Sequence, residues 1–221
     1  MKRLIFYGWF FVDIVLLTTV AQAQTSYTFY PEQDAWVNEA NPTANYGNAT
    51  YFTIRDRSGL AEAYLKFSDT DLNQLRSMQI LSASLFLYQY QATYSPGDNL
   101  ALHKVLSNWQ EATISWQNRP VYEQTVQSYL NLSEGNQLWR RFDGLENCVS
   151  SWINGPNYGL VLENHLDQKK EEFFGRFYSS ETSDALLRPY LTVTAVTPEP
   201  VSSTLFVLGA GLLVYWKRKN C

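Results

Sequence analysis

Oxygen-bearing side chains concentrate in two stretches of the chain. Asp34, Asn38, Asn41, Asn45 and Asn48 make up the first, and Glu181-Thr182-Ser183-Asp184 the second. Ca2+ takes about six to eight oxygens from carboxylates, Asn side chains and backbone carbonyls. If the fold brings the stretches together, Asp34, Asn41, Asn45, Glu181 and Asp184 are the candidate ligands of a structural calcium. Turn chemistry is the competing account, because Asn and Asp bond their own backbone in turns.

A second constellation is aromatic. Along Ile80–Gln91, Ala83, Leu85 and Leu87 alternate with Ser84, Phe86, Tyr88 and Tyr90, and Tyr94 follows. Period two places the rings opposite the small apolar set on a strand. An exposed aromatic stripe is a stacking platform for sugar rings, since contiguous apolar patches on a soluble domain usually mark binding. Arg55, Arg57, Arg140, Arg141 and Arg176 carry the planar fork that suits carboxylate, and so the uronate or sulfate groups of an acidic polysaccharide. The alternative buries the stripe under a loop and leaves the arginines in surface pairs.

Catalytic signatures are absent. There is no G-x-S-x-G, H-E-x-x-H or Cys/His nucleophile pattern. Glycosidases need two positioned carboxylates, and His103 and His165 are candidate general bases, but nothing in their spacing singles them out. Trp109, Glu111 and Trp116 form a conspicuous cluster. It is expected to be structural, with the rings in the core and Glu111 accepting from loop N–H groups. The run Asp167–Glu172 reads as a solvated hairpin tip. The expectation is a non-catalytic module.

These residues need a scaffold. The chain has 221 residues, 45% of them hydrophobic and only 17% charged. That suffices for one domain with its own core and argues against disorder. Two His and two Cys leave little for a Cys/His zinc site. The ends separate from the middle. Lys2 and Arg3, an apolar stretch interrupted by Asp13, and Ala21-Gln22-Ala23 have the layout of a signal peptide over 1–23, cleaved after Ala23 by signal peptidase. At the other end, Pro198-Glu199-Pro200 precedes an apolar run over about 201–216, and Lys217-Arg218-Lys219 closes it as a basic tail. The run approaches the length of a membrane helix, and the tail would hold its end in the cytoplasm.

Without these ends, residues 24–197 keep 12 basic and 19 acidic side chains, a net charge of −7. An acidic domain is a poor partner for nucleic acid. Cys148 falls in this domain and Cys221 on the tail, so no intramolecular disulfide is expected. Cys148 reads as a small buried hydrophobe.

The C-terminal layout resembles the PEP-CTERM sorting signal of Gram-negative bacteria. Pro198, Glu199, Pro200, the Gly-containing apolar helix and the basic tail carry the resemblance over 198–221. It implies export across the inner membrane, membrane attachment through the C-terminal helix before processing, an exosortase as processing enzyme, and an exopolysaccharide-making host. The protein would then sit at the cell envelope or surface, or be secreted.

Between the ends, short period-two runs separated by Asn41-Pro42, Tyr46-Gly47-Asn48, Ser95–Asp98, Glu134-Gly135-Asn136 and Asn154–Asn157 predict an all-β sandwich or barrel. Leu145, Val149, Trp152 and Ile153 fall on one helical stripe. That predicts one short helix, capped by Asp143 and ended by Gly155-Pro156.

Several pieces of 24–197 match a family in order. They are Asp34 with Asn41-Pro42 and Asn45-Tyr46-Gly47, Ala63–Phe67, Ile80–Tyr88, Trp109-Gln110-Glu111, Ile114–Pro120, Val149–Gly159 and Arg188-Pro189-Tyr190-Leu191. They resemble the DNRLRE-type module, a carbohydrate-binding module family, although the name-giving string is absent and Ser68 stands where Asp is common. The resemblance implies a jelly-roll β-sandwich. It also implies an extracellular polysaccharide as partner, and jelly-roll modules of this general kind often hold a structural Ca2+. A structural or adhesive matrix protein without glycan affinity is the alternative, and a polysaccharide-degrading enzyme a further one.

Overall fold

In the computed structural model the alternating runs become strands, each burying one side. The structure describes residues 23–56, 59–93, 99–131, 136–165 and 174–198. Its strands are β1 (Gln24–Phe29), β2 (Pro31–Asn38), β3 (Tyr51–Arg55), β4 (Ala61–Phe67), β5 (Gln79–Thr93), β6 (Asn99–Val105), β7 (Tyr122–Asn131), β8 (Leu138–Phe142), β9 (Leu160–His165), β10 (Phe174–Tyr178) and β11 (Tyr190–Val196).

All pairings among the described residues are antiparallel. One half of the sheet runs β1-β11-β5-β10-β3, and the other joins β4, β9, β6 and β7, with β2 on β4. Among the described residues a single pair, Arg55 with Ala61, connects the halves. Leu85 pairs with both Leu191 of β11 and Phe142 of β8, so β8 lies on the opposite edge of β5 from β11.

The sheet curls on itself into an all-β sandwich. Phe52, Ile54, Leu85, Leu87, Phe177 and Leu191 of one half meet Ala63, Leu65, Phe67, Leu102, Leu160 and Leu162 of the other in one core. The outer face of the second half has its own smaller cluster. There Ala35, Val37, Tyr64, Val105 and Val161 are covered by Trp109 and Ile114 of the loop after β6. The Trp109 indole N–H donates to the Tyr158 carbonyl at 2.9 Å. Trp109 is therefore structural, as its composition suggested.

Three local expectations need correction. Among the described residues two short α-helices are present where one was predicted. α2 (Glu146–Ile153) buries Cys148, Val149, Trp152 and Ile153, as its stripe required. α1 (Asp69–Leu72) is a single turn, too short to show a stripe, and is capped by the Ser68 hydroxyl accepting from Asp71 N–H. Asp143 does not cap α2. Its carboxylate accepts from the Ser84 hydroxyl and Arg141 instead, and Leu145 occupies the cap position without a side-chain bond. Lastly, Asp34 and Asn38 of the first oxygen-rich stretch lie on a strand, β2, and not in turns, because Ala35, Trp36 and Val37 have apolar surface to bury on both faces.

Cys148 is buried and unbridged, and burial pushes its thiol pKa up to about 11. Among the described residues no helix is long and apolar enough to cross a membrane. The stretches 1–22 and 199–221 lie outside them, and with them Ala21, Glu199, Pro200 and the apolar run 201–216. Ala23 and Pro198 are described, and both are exposed.

Candidate functional site

The outer face of the first half is paved with aromatic rings. Cross-strand partners on one face stand about 5 Å apart, and here they are repeatedly aromatic. Tyr190 of β11 is the register partner of Phe86, Trp139 of β8 that of Tyr88, and Tyr178 of β10 that of Tyr51. The rings meet in a chain. Phe86 stacks on Tyr190 at 4.7 Å, and Tyr190 meets the edge of Trp139 at 5.1 Å. Trp139 meets Tyr88 edge-on at 5.4 Å. Tyr88 stacks with Tyr178 at 5.9 Å, Tyr178 with Tyr90 at 4.8 Å, and Tyr90 approaches Tyr51 at 6.0 Å.

All seven rings are half-buried. Each is held by its neighbours yet keeps surface toward solvent. Burial raises the phenol pKa of Tyr90 and Tyr190, so these hydroxyls stay neutral hydrogen-bonding groups.

Arginines border the platform. The Arg176 guanidinium lies 4.8 Å from the ring centres of both Tyr51 and Phe174. Arg55 lies over Phe174 at 5.3 Å and Arg141 over Phe86 at 5.7 Å. Cation–π contact keeps the guanidinium groups beside the rings. Arg141 also pairs with Asp143. A face of ring surfaces with guanidinium donors at its margin can stack on sugar rings and pair with carboxylate or sulfate substituents.

The structure therefore brings Phe86, Tyr88, Tyr90 and Arg55 of the sequence-predicted set onto one face. Arg140 is a correction. It shares the inward side of β8 with Phe142, is only 4% exposed, and its Nε donates to the buried Gln89 amide oxygen at 2.7 Å. It is a core hydrogen-bonding group and does not reach the platform. Tyr94 and Arg57 lie outside the described residues. Trp139, Tyr178, Tyr190 and Tyr51 were missed, because no single strand displays them. Their signal was the outward alternation of Trp139 with Arg141, Arg176 with Tyr178, and Tyr190 with Thr192, read strand by strand.

The oxygen-rich stretches do meet, around a different set from the one proposed. Carboxylate oxygens of Asp34, Glu111 and Glu181 all lie within 4.8 Å of one another. Asp34 Oδ2 accepts from Ser180 N–H at 2.9 Å and Glu111 Oε1 from Asp34 N–H at 3.2 Å. Burial, reinforced by the Glu181 charge, holds the Asp34 pKa well above the carboxylate range, and burial raises that of Glu111.

The remaining candidate ligands serve turns, as their chemistry allowed. Asn45 donates to the Glu111 and Ile114 carbonyls and accepts from Gly47 N–H. Asp184 caps the 3-10 turn Ala185–Leu187. Asn41 is exposed in the loop after β2, where its own carbonyl accepts from Ala44 N–H. Glu111 was expected to accept from loop N–H groups, but the backbone donor to its carboxylate is Asp34 N–H of strand β2, and it completes the acidic trio.

Titratable groups gather at a third place, on the outer face of β4, β6 and β9. Glu62 accepts from the Tyr64 hydroxyl at 2.7 Å and pairs with Arg119 at 3.3 Å. Arg119 in turn stacks on Trp116 at 3.5 Å. His103, a candidate base, has Nδ1 2.9 Å from the Glu123 carbonyl and Nε2 3.0 Å from the Glu163 carboxylate. Both ring nitrogens are thus occupied by protein partners. The His165 side chain is outside the described residues.

A curled β-sandwich with a ring-paved outer face is an architecture that carbohydrate-binding modules use. Residues 25–195 match the family model of carbohydrate-binding module family 96. The match covers well over half of the chain, which therefore belongs to that family. No curated protein matches the chain.

Proposed function

We propose that this is an exported, non-catalytic module that binds polysaccharide through the aromatic face of β3, β5, β8, β10 and β11. The chain of seven rings from Phe86 to Tyr51 carries this reading. Membership of a carbohydrate-binding family supports it. Arg55, Arg141 and Arg176 favour an acidic polymer bearing uronate or sulfate, since they put positive charge on this face of an otherwise acidic domain.

The module is a jelly roll carried between a signal peptide over 1–23 and a PEP-CTERM sorting signal over 198–221. Signal peptidase and an exosortase process it, and it works at the surface of a Gram-negative cell or in its exopolysaccharide matrix. The order of basic start, Ala21-Gln22-Ala23, Pro198-Glu199-Pro200, apolar run and basic tail supports this placement.

Affinity electrophoresis of the full-length chain through gels containing uronate, sulfated or neutral polysaccharide tests the binding. Retardation by an acidic polymer is expected. Equal mobility in every gel would reject glycan binding. Such silence together with altered biofilm on gene deletion would favour a structural or adhesive role. New reducing ends or unsaturated products would show an enzyme.

A further inference from the structure

We propose that Asp34, Glu111 and Glu181 together hold one Ca2+ ion, which clasps the edge strand β2 to the loop after β6 and the turn after β10. Among the described residues β2 pairs only with β4, which makes it an edge strand. Asp34 lies on its inward side, register partner of the core residue Leu65, and is 0% exposed. An ionised carboxylate in such a place is costly unless something compensates its charge.

Protein groups compensate only part of it. Asp34 Oδ2 takes the Ser180 N–H, but Oδ1 is buried without a hydrogen-bond partner, and so is Glu181 Oε2. Among the described residues none of the three forms an ion pair. Three acidic groups thus converge on one point with two orphaned oxygens and no cation from the chain.

The surroundings hold the carboxylates in place. Asp34 N–H fixes Glu111 Oε1, and the Ser180 hydroxyl donates to Glu181 Oε1 at 2.9 Å. Bonds of this kind orient metal ligands. Gly47 packs beneath, where an added Cβ would stand 2.7 Å from Glu111 Cγ and 2.6 Å from the Glu111 carbonyl oxygen. The loop is therefore shaped around the Glu111 stem.

An all-oxygen set with no Cys or His selects a hard cation. Ca2+–oxygen bonds of about 2.3–2.6 Å put ligands facing each other across the ion about 5 Å apart, whereas Mg2+ bonds of about 2.0–2.1 Å allow only about 4 Å. The carboxylate oxygens of the trio lie within 4.8 Å of one another, close enough to share one such ion, and the flexible coordination of Ca2+ suits side chains on three separate segments better than the strict octahedron of Mg2+.

The test is calorimetric titration of CaCl2 into EDTA-stripped full-length protein, with thermal unfolding alongside. One Ca2+ per chain is expected. At Ca2+ about a hundredfold above Kd, the unfolding midpoint should rise by about 5–10 °C, with a smaller rise for Mg2+. Glu111→Gln and Glu181→Gln, whose side chains are only half-buried, should each lose at least tenfold in Ca2+ affinity. Asp34→Asn should abolish the midpoint rise. Asp143→Asn, at an exposed carboxylate elsewhere, should change neither. Absence of binding heat with an unmoved midpoint in the wild type would overturn the proposal, as would wild-type Ca2+ affinity in Glu181→Gln.

Discussion

Phe86 and Tyr190 lie face to face, ring centres 4.7 Å apart and planes 9° from parallel. They are register partners on β5 and β11, so the spacing of strands alone sets the stack. A second stack, Tyr90 on Tyr178, lies toward the other end of β5. Trp139 bridges the gap between them, edge-on to both Tyr88 and Tyr190. Removing its indole should cut the platform in two. Trp139→Ala is expected to weaken glycan affinity about tenfold, as buried aromatic anchors do, while leaving the fold intact because the side chain is only half-buried. Affinity electrophoresis beside a melting curve measures both, and undiminished retardation of the variant would remove Trp139 from the binding face.

Arg176 should decide which polymer is bound. Its guanidinium lies 4.8 Å from the ring centres of both Tyr51 and Phe174 and donates to the Gln91 amide oxygen at 3.3 Å. Arg176→Gln keeps a polar group of moderate length but loses the charge and the fork. Affinity for a uronate polymer should fall about tenfold, with neutral polymers affected less than twofold. Salt should weaken wild-type binding to the acidic polymer in the same way. Equal losses on both polymers would mean that Arg176 supports the rings and does not read charge.

The parts of this architecture written along single strands were legible in the sequence. Alternation around Leu85 and Leu87 foretold both the core side of β5 and its outward Phe86, Tyr88 and Tyr90. The stripe Leu145, Val149, Trp152 and Ile153 foretold α2. What depends on register was not legible. Arg140 resembled any other strand arginine until its pairing opposite Leu87 turned it inward. Glu111 joined Asp34 and Glu181 only because the loop after β6 folds back over β2. The same limit hid Trp139, Tyr178 and Tyr190, each on a strand whose neighbours a one-dimensional pattern does not name.

Arg140 should matter for stability and not for binding. Its Nε–H satisfies the Gln89 amide oxygen, and both side chains are buried. Arg140→Ala leaves Gln89 without that donor and opens a void beside Phe142, at a cost of about 2–4 kcal/mol. Urea unfolding should show a lower midpoint, while glycan affinity measured well below the transition stays within twofold of wild type. A variant as stable as the parent would contradict the interior placement.

At Gly159 one backbone runs close against another. Its φ is +82°, and a Cβ there would collide with the Leu65 carbonyl oxygen. The Gly159 carbonyl accepts from Val105 N–H, and Asn157 pins the segment by accepting from Gly159 N–H and donating to the Phe67 carbonyl. Gly159→Ala combines a left-handed backbone with a steric clash, so the start of β9 must move off β4. A loss of about 3 kcal/mol or more is expected, with Gly144→Ala as the comparison. Gly144 also has positive φ, but the nearest atom to its added Cβ is 4.0 Å away. If the two alanine variants melted together, close approach would not be the reason for glycine at 159.

The network on β4, β6 and β9 predicts a pH dependence. Burial alone would lower the His103 pKa, but the Glu163 carboxylate and the Glu123 carbonyl outweigh it and raise it above 6.5. Glu62 is likewise raised, chiefly by burial. In both cases the folded protein holds its proton more tightly than the unfolded chain does, so stability falls as pH rises. The His103 contribution is complete below about pH 6.5 and is lost as pH climbs through its raised folded value. Glu62 acts in a lower window, from the ordinary carboxylate range up to its own raised value. His103→Gln keeps a polar side chain but cannot titrate. Denaturant midpoints measured between pH 5.5 and 8.5 should decline for the wild type and flatten for His103→Gln. A decline of equal size in both would assign the dependence to other groups and leave His103 neutral in the folded protein.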